Sequence, residues 1–211
     1  MNTKSVMASI ILSMSVDAGM NAAYAAPQKD QVRDWPCEQI FVPEVAAAVV
    51  WAGPPITGLD NEWQQHKGVN DLVQRISAAE ADADTVEREV EAFASQQQPQ
   101  EKDRNLTLLF TGVYEVLNGQ RGKMLNGIKR YSQGQAARAE RLGEELDEMI
   151  RLENDSSQAA RDKLRMMQKE MELKQRMFDE REAFIQHLCE RPVVVEQRLG
   201  MVARTIAANL D

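Results

Sequence analysis

Residues 101–153 read EKDRNLTLLFTGVYEVLNGQRGKMLNGIKRYSQGQAARAERLGEELDEMIRLE. This stretch decides the fold, because its inward-facing positions recur at steps of three and four, with a mean of about 3.6, the α-helical period. The series is Leu106, Phe110, Val113, Leu117, Gln120, Met124, Ile128, Tyr131, Gln135, Arg138, Leu142, Leu146 and Met149. Since no proline interrupts the chain between Gln100 and Arg191, we predict one continuous helix, roughly 80 Å long at 1.5 Å per residue.

The glycine content of this stretch argues against a continuous helix. Six glycines fall inside it, and each costs about 1 kcal/mol relative to alanine. Asn118-Gly119 and Asn126-Gly127 are also typical of hairpin turns, which leaves open a β-hairpin through 108–132, or a kink near 119–127. We favour the helix, because strict alternation fails across Leu108-Leu109-Phe110 whereas the 3.6 period holds on both sides.

A second long helix follows the polar break at 153–157, where Ser156 or Ser157 can cap it. We predict that it runs over 157–191 and ends before Pro192, and that a short last helix begins there. Its inward face carries Ala160, Leu164, Met167, Met171, Phe178, Ile185 and Leu188. The methionines are interpreted as a compliant core seam, with a promiscuous binding surface as the alternative. The predicted fold is all-α: a long antiparallel, coiled-coil-like hairpin with an irregular N-terminal segment.

The region before the hairpin divides into an irregular and a helical part. Residues 26–68 hold five prolines, which break regular helix, so only a short helix near 43–51 is expected there. The three tryptophans, Trp35, Trp51 and Trp63, all lie in this segment. They are interpreted mainly as packing groups, and as a possible binding surface. The helical domain spans 69–211, with short helices over 69–79 and from Asp82 or Asp84 to about Gln97.

Residues 1–25 resemble a cleaved secretory signal. Lys4 supplies a positive start, an uncharged and mostly apolar run covers 5–16, and Ala23-Tyr24-Ala25 places small residues where a signal peptidase reads them. A cytoplasmic N-terminal helix or an uncleaved anchor is the alternative. The apolar run is too short for a membrane span, which takes about 20 residues. We therefore expect a periplasmic or secreted protein without a transmembrane span.

Charge and missing motifs exclude several functions. The chain has 25 basic and 33 acidic residues, and its acid excess argues against nucleic-acid binding. There is no phosphate-binding glycine loop, no nucleophile elbow and no Cys-x-x-Cys pair. The two histidines, His66 and His187, lack partners with metal-ligand spacing. We expect no catalytic residues, no metal and no cofactor.

Cys37 and Cys189 are the only cysteines. In an oxidising compartment a disulfide is the leading interpretation; two free buried thiols or a redox role remain alternatives. A bridge would tie the proline-rich segment to the end of the second long helix. On a chain-entropy model, closing a loop of this size stabilises the fold by roughly 4–5 kcal/mol before strain.

A resemblance supports export. The motifs Asp34-Trp35-Pro36-Cys37, Val42-Pro43-Glu44 and 50–54 (VWAGP), with Leu109-Phe110-Thr111-Gly112 on the long helix, resemble those of a group of small, uncharacterised exported proteobacterial proteins. The resemblance implies that the chain is exported and that residues 106–131 are helical. It implies no activity, ligand or partner.

These patterns favour a non-enzymatic exported interaction protein. A two-helix seam with few aromatic residues cannot bury every apolar side chain, so contact with another protein or self-association is expected. The alternative is a small-ligand or cofactor-binding module, with its pocket near the N-terminal tryptophans.

The signal interpretation predicts that the mature N-terminus is Ala26. N-terminal sequencing of periplasmic material checks this. Recovery of folded, exported protein that still begins at Met1 would contradict it.

Overall fold

The computed structural model describes residues 35–211, so the predicted signal lies outside the described residues. In that part of the chain, all regular secondary structure is helical, with no strand. They are α1 Ala47–Val50, α2 Glu62–Gln65, α3 Lys67–Ile76, α4 Ala83–Ser95, α5 Lys102–Glu153 and α6 Gln158–Ala207. The all-α prediction and the antiparallel hairpin are confirmed, because α5 and α6 pack against each other. α5 continues without interruption through both Asn-Gly dipeptides, which excludes the β-hairpin.

Side-chain caps set where three of the helices begin. The Ser157 hydroxyl accepts a hydrogen bond from the Ala160 amide at 3.2 Å, and Asp82 accepts one from Thr85 at 2.8 Å. At the start of α3, the ring Nδ1 of His66 accepts a hydrogen bond from the Val69 amide. Each cap satisfies an amide that has no partner within its helix. The expected cap at Ser157 is therefore confirmed.

The helix does not end at Pro192. α6 passes through that residue unbroken, so the residues expected to form a separate C-terminal helix are the last part of α6. A proline inside a helix removes one hydrogen bond and crowds the preceding turn. Here the Gln39 side-chain amide donates to the Cys189 carbonyl at 2.6 Å, and the Pro192 ring is buried. The carbonyl that loses its helical donor is that of Leu188, four residues before the proline, so the Gln39 contact does not replace the lost bond; burial of the ring offsets part of the local cost.

The head of the molecule holds the main core. We define the head as α1–α4 together with residues 102–117 of α5 and 195–207 of α6. The apolar faces of α3 and α4 close over the two long helices. Its fully buried large side chains are Phe110, Leu72, Ile76, Leu106, Leu109, Leu117, Leu199, Ile206, Val69, Val73, Val86 and Val90. Burial of one such side chain stabilises the fold by about 1.5–3 kcal/mol.

The remaining part of the hairpin forms a stalk, defined as residues 118–194. Its buried positions are sparse. Ile128, Ile185 and Cys189 make a second, small cluster where the N-terminal segment crosses the two helices. Beyond it, toward the connecting loop at 154–157, buried residues such as Gln135, Met171 and Ala160 are isolated. The stalk is thus much less well packed than the head.

Gly112 marks the closest approach between α5 and its neighbours. A Cβ placed there would lie 2.6 Å from Val73 Cγ2 and 2.8 Å from Trp63 Cδ2. Gly119, two turns later on the same helix, has open space around it. Packing therefore requires glycine at position 112, whereas no neighbouring atom requires it at position 119.

We predict opposite effects of alanine at these two glycines. Gly112→Ala overpacks the head and lowers the free energy of unfolding by about 1–3 kcal/mol. Gly119→Ala is the matched control and raises it by roughly 0.5–1 kcal/mol, through helix propensity. Urea unfolding followed by circular dichroism measures both. Equal effects of the two substitutions would contradict the packing shown here.

Candidate functional site

The buried guanidinium of Arg121 anchors the N-terminal segment to the hairpin. Its side chain is 5% exposed and forms an ion pair with Glu196 on α6, Nε to Oε1, at 2.5 Å. Its Nη1 also donates to the carbonyl of Val42 at 2.7 Å and to that of Pro43 at 3.3 Å. One cation from α5 therefore holds both α6 and the irregular segment. A buried charge with these partners satisfies the rule that buried ions are paired.

Two polar side chains, one and two turns before Arg121, extend this anchor. The Asn118 side chain accepts from the Val45 amide and donates to the Val45 carbonyl, both at 3.2 Å. The Tyr114 hydroxyl lies 2.9 Å from the same carbonyl and 3.0 Å from Glu44 Oε1. Burial, together with the Glu44 carboxylate, raises the pKa of Tyr114 to about 12. The phenol therefore stays protonated and remains a hydrogen-bond donor.

The two cysteines meet beside this anchor. Cys37 and Cys189 are at disulfide distance, with sulfurs 1.90 Å and Cα atoms 5.6 Å apart. The sequence-based expectation that they lie together is confirmed. The Trp35 indole donates to the Gln39 carbonyl at 2.6 Å, and its ring meets Phe41 edge-on. The segment 35–45 is thus fixed at both ends.

The three tryptophans are not brought together in one pocket. Trp63 is buried and donates to Glu115 Oε2 at 2.7 Å. Trp51 stacks on Phe110, with ring centroids 4.0 Å apart. Trp35 alone lines a cavity of about 390 Å³. Its other walls are mostly apolar and include Ile40, Val42, Val45, Val49, Leu125 and Val193, with Arg121 and Glu196 at one side.

An exposed apolar stripe runs along α6 in the stalk. Large side chains are uncovered at Met166 (60% exposed), Leu173 (54%), Met177 (41%), Phe184 (48%) and Val194 (61%). Their spacing of four, seven and ten residues keeps them on one face of a helix. We call this face the outer seam. It is separate from the inner seam of α6, which holds Met171, Phe178 and Ile185 against α5.

Sequence reasoning assigned only one apolar face to α6 and missed the outer seam. The signal was present in the heptad spacing. One series of positions seven apart is Met166, Leu173, Glu180, His187 and Val194, and a second, offset by three, is Glu170, Met177, Phe184 and Arg191. Together they form an a/d pattern of the kind used between packed helices.

In the head, this same face of α6 is covered. Arg198, one heptad after Arg191, donates to the Ala79 carbonyl at 2.9 Å and also to the Ala81 carbonyl, both in the α3–α4 loop. Met201, one heptad after Val194, packs against the head core. The stalk portion of the seam has no such cover among residues 35–211.

A cationic groove lies beside the seam, between the two stalk helices. Its volume is about 250 Å³ and its apolar walls include Leu142, Met177 and Phe178. Arg138, Arg141, Lys174 and Arg181 surround it, with Glu145 as the one acid. Glu145 contacts Lys174 at 2.8 Å through both oxygens and raises the pKa of Lys174. The acidic helix α4 packs on α6 in the head and not on this basic groove.

Within the described residues, no helix has the length and apolar character needed to cross a membrane. In the same residues, no three His, Cys, Asp or Glu side chains cluster as a metal site. Protein-family models, curated proteins and solved structures all give no match to the chain.

The anchor predicts that Arg121→Gln lowers the free energy of unfolding by roughly 1–3 kcal/mol, because Glu196 and two carbonyls lose a charged donor. Lys123→Gln is the control, since Lys123 lies two residues later, on the exposed side of α5. Urea unfolding compares the two variants. Limited proteolysis should also cut the 40–60 segment faster in the Arg121 variant only. Equal behaviour of the two variants would contradict the anchor.

The cysteine pair predicts a coupled response. Cys37→Ser and Cys189→Ser should each reduce stability by a similar amount, roughly 2–5 kcal/mol, and the double variant should lose little more. Non-reducing peptide mapping of periplasmic protein should recover one linked pair. Two thiols open to alkylation in carefully prepared material would overturn the disulfide.

Proposed function

We propose that this chain is a non-enzymatic, exported interaction protein of the periplasm or cell envelope, and that the outer seam is its contact surface. The single observation that carries the proposal is the row of large apolar side chains left uncovered along the stalk. Isolated exposed apolar residues are ordinary, whereas several large ones on one helix face, bordered by charged residues, mark a surface that another molecule covers.

The construction of the molecule supports this proposal. The head is compactly filled and the N-terminal segment is held at the base of the stalk by Arg121 and the cysteine pair. The stalk projects from that base with little core of its own. A rigid base that carries a long, thinly packed helical arm is suited to presenting a surface to a partner.

Export is part of the proposal. It is supported by the signal-like pattern of residues 1–25 and by the two cysteines at disulfide distance, and it agrees with the resemblance proposed from the sequence. Structural disulfides persist in oxidising compartments.

Site-specific photo-crosslinking in native cells tests the proposed surface. A photoreactive amino acid at Leu173, on the seam, should give a discrete covalent adduct in the envelope fraction. The matched position is Glu172, which is exposed on the same helix but off the seam. The proposal fails if seam positions give no adduct, or if Glu172 gives the same one.

A second candidate function is supported by the cavity at Trp35. An apolar cavity of about 390 Å³ with a buried charged group at its wall has the composition of a small-ligand site. A tryptophan-fluorescence screen with apolar acids tests it. A true ligand would change the emission of the wild type but not that of Trp35→Phe, whereas Trp63→Phe would keep the response. A response that survives Trp35→Phe would contradict this site.

A further inference from the structure

We propose that the outer seam binds a second copy of this chain, with the two α6 helices antiparallel. This inference rests on the proposed function, since it names the partner of the same surface. The two-fold axis passes between Glu180 and Arg181. The closest contact covers the central stretch 173–188, because helices packed in this way cross at about 20° and diverge toward their ends.

The first argument is that α6 carries two heptad series. The inner series, with Met171, Phe178 and Ile185, faces α5. The outer series is offset from it and is largely exposed, although Met177 also lines the groove beside α5 and the Phe184 ring lies 6.2 Å from that of Tyr131. A helix whose apolar side chains repeat every seven residues on two faces has the pattern of a helix with two helical neighbours. The described structure supplies only one of them along the stalk.

The second argument is charge complementarity. In the antiparallel pair, a residue of one copy faces a residue of the second copy when their two numbers sum to about 361. Glu170 then faces Arg191 of the second copy, and Arg191 faces its Glu170. The apolar positions match as well, since Met177 faces Phe184 and Met166 lies next to Val194. Within residues 35–211, Arg191 uses its side chain in no hydrogen bond or ion pair, and Glu170 has one long ion-pair contact, 3.9 Å from Lys174 on its own helix.

A parallel pair is excluded by the same residues. Each position would then face its own copy, which places Glu170 on Glu170 and Arg191 on Arg191. Like charges placed opposite each other cost several kcal/mol across an interface. A two-fold antiparallel contact is also self-complementary and closes as a dimer.

The third argument is continuity with packing that already exists. In the head, the outer face of α6 is occupied at Arg198 and Met201 by the α3–α4 loop and the head core. The seam therefore emerges from a covered interface at Val194 and continues uncovered down the stalk. A second helix along the stalk extends the same mode of packing.

A charge-swap experiment tests the pairing, using the mature chain with its cysteines joined. Glu170→Arg and Arg191→Glu should each raise the dimer dissociation constant about tenfold or more, because each places like charges together twice per dimer. The double variant restores opposite charges and should return the constant to near its wild-type value. Sedimentation velocity over a concentration series measures all three. Glu172→Arg is the control, since it makes the same charge change off the seam, and it should leave the constant unchanged.

Photo-crosslinking in a mixture of isotopically labelled and unlabelled chains gives a second readout. A photoreactive residue at Met177 should join the peptide that contains Phe184 of the other isotope. Linkage to the Met177 peptide itself would show a parallel pair and overturn the proposal. So would a wild-type chain that stays monomeric at every concentration, or a double swap that fails to rescue.

The outcomes separate this inference from the proposed function. If the purified chain is monomeric while Leu173 still crosslinks to a different envelope protein, self-pairing is wrong and the interaction surface stands. If no seam position crosslinks to any protein, including a second copy, both proposals fail.

Discussion

The packing of residues 102–117 of α5 against 195–207 of α6 is the contact on which the rest of the structure depends. These segments are far apart in the sequence, and each has an apolar face that no local structure can bury. Once they meet, Phe110 and Leu199 create the surface on which α3 and α4 close. The antiparallel direction of the hairpin follows, since the short connection at 154–157 returns the chain along the same axis. The stalk is the part of both helices that extends beyond this core.

The N-terminal segment is bound to the hairpin by polar and covalent contacts as well as by apolar packing, such as the stacking of Trp51 on Phe110. Arg121 reaches two carbonyls of that segment, Asn118 pairs with the Val45 backbone, and Gln39 satisfies the Cys189 carbonyl beside Pro192. These groups sit where the head gives way to the stalk. They fix the base of the stalk and leave its outer face free. The molecule therefore combines a rigid base with an incompletely covered arm, and this arrangement underlies the function proposed for it.

The sequence predicted the features that depend on periodicity and local chemistry. The 3.6 period placed the first long helix at 101–153, and it is observed at Lys102–Glu153. Ser157 capped the next helix as expected, and the cysteine pair was identified from count and compartment. The passage of α6 through Pro192 was not predictable from local rules, because it goes with burial of the proline ring in the tertiary structure. The three tryptophans seemed a single group in sequence, yet each packs against a different partner. The signal and the export of the chain stay predictions.

The outer seam shows why the candidate site was harder to predict than the fold. A methionine-rich helix offers two apolar faces, and composition alone does not distinguish the face that α5 covers from the one it leaves open. Met171 and Met177 are six residues apart and therefore belong to two different faces of α6. The sequence shows that both faces exist, but only the assembled hairpin shows which of them α5 covers.

Native-state hydrogen exchange tests most directly the division between a stable head and a thinly packed stalk. In dilute protein, the amides around Leu109 on α5 and Val202 on α6 should exchange only by global unfolding, because they lie in the main core. The amides near Leu146 and Met166 should exchange far faster, through local opening of the stalk. Equal, slow exchange along the whole of both helices in the dilute chain would contradict the account.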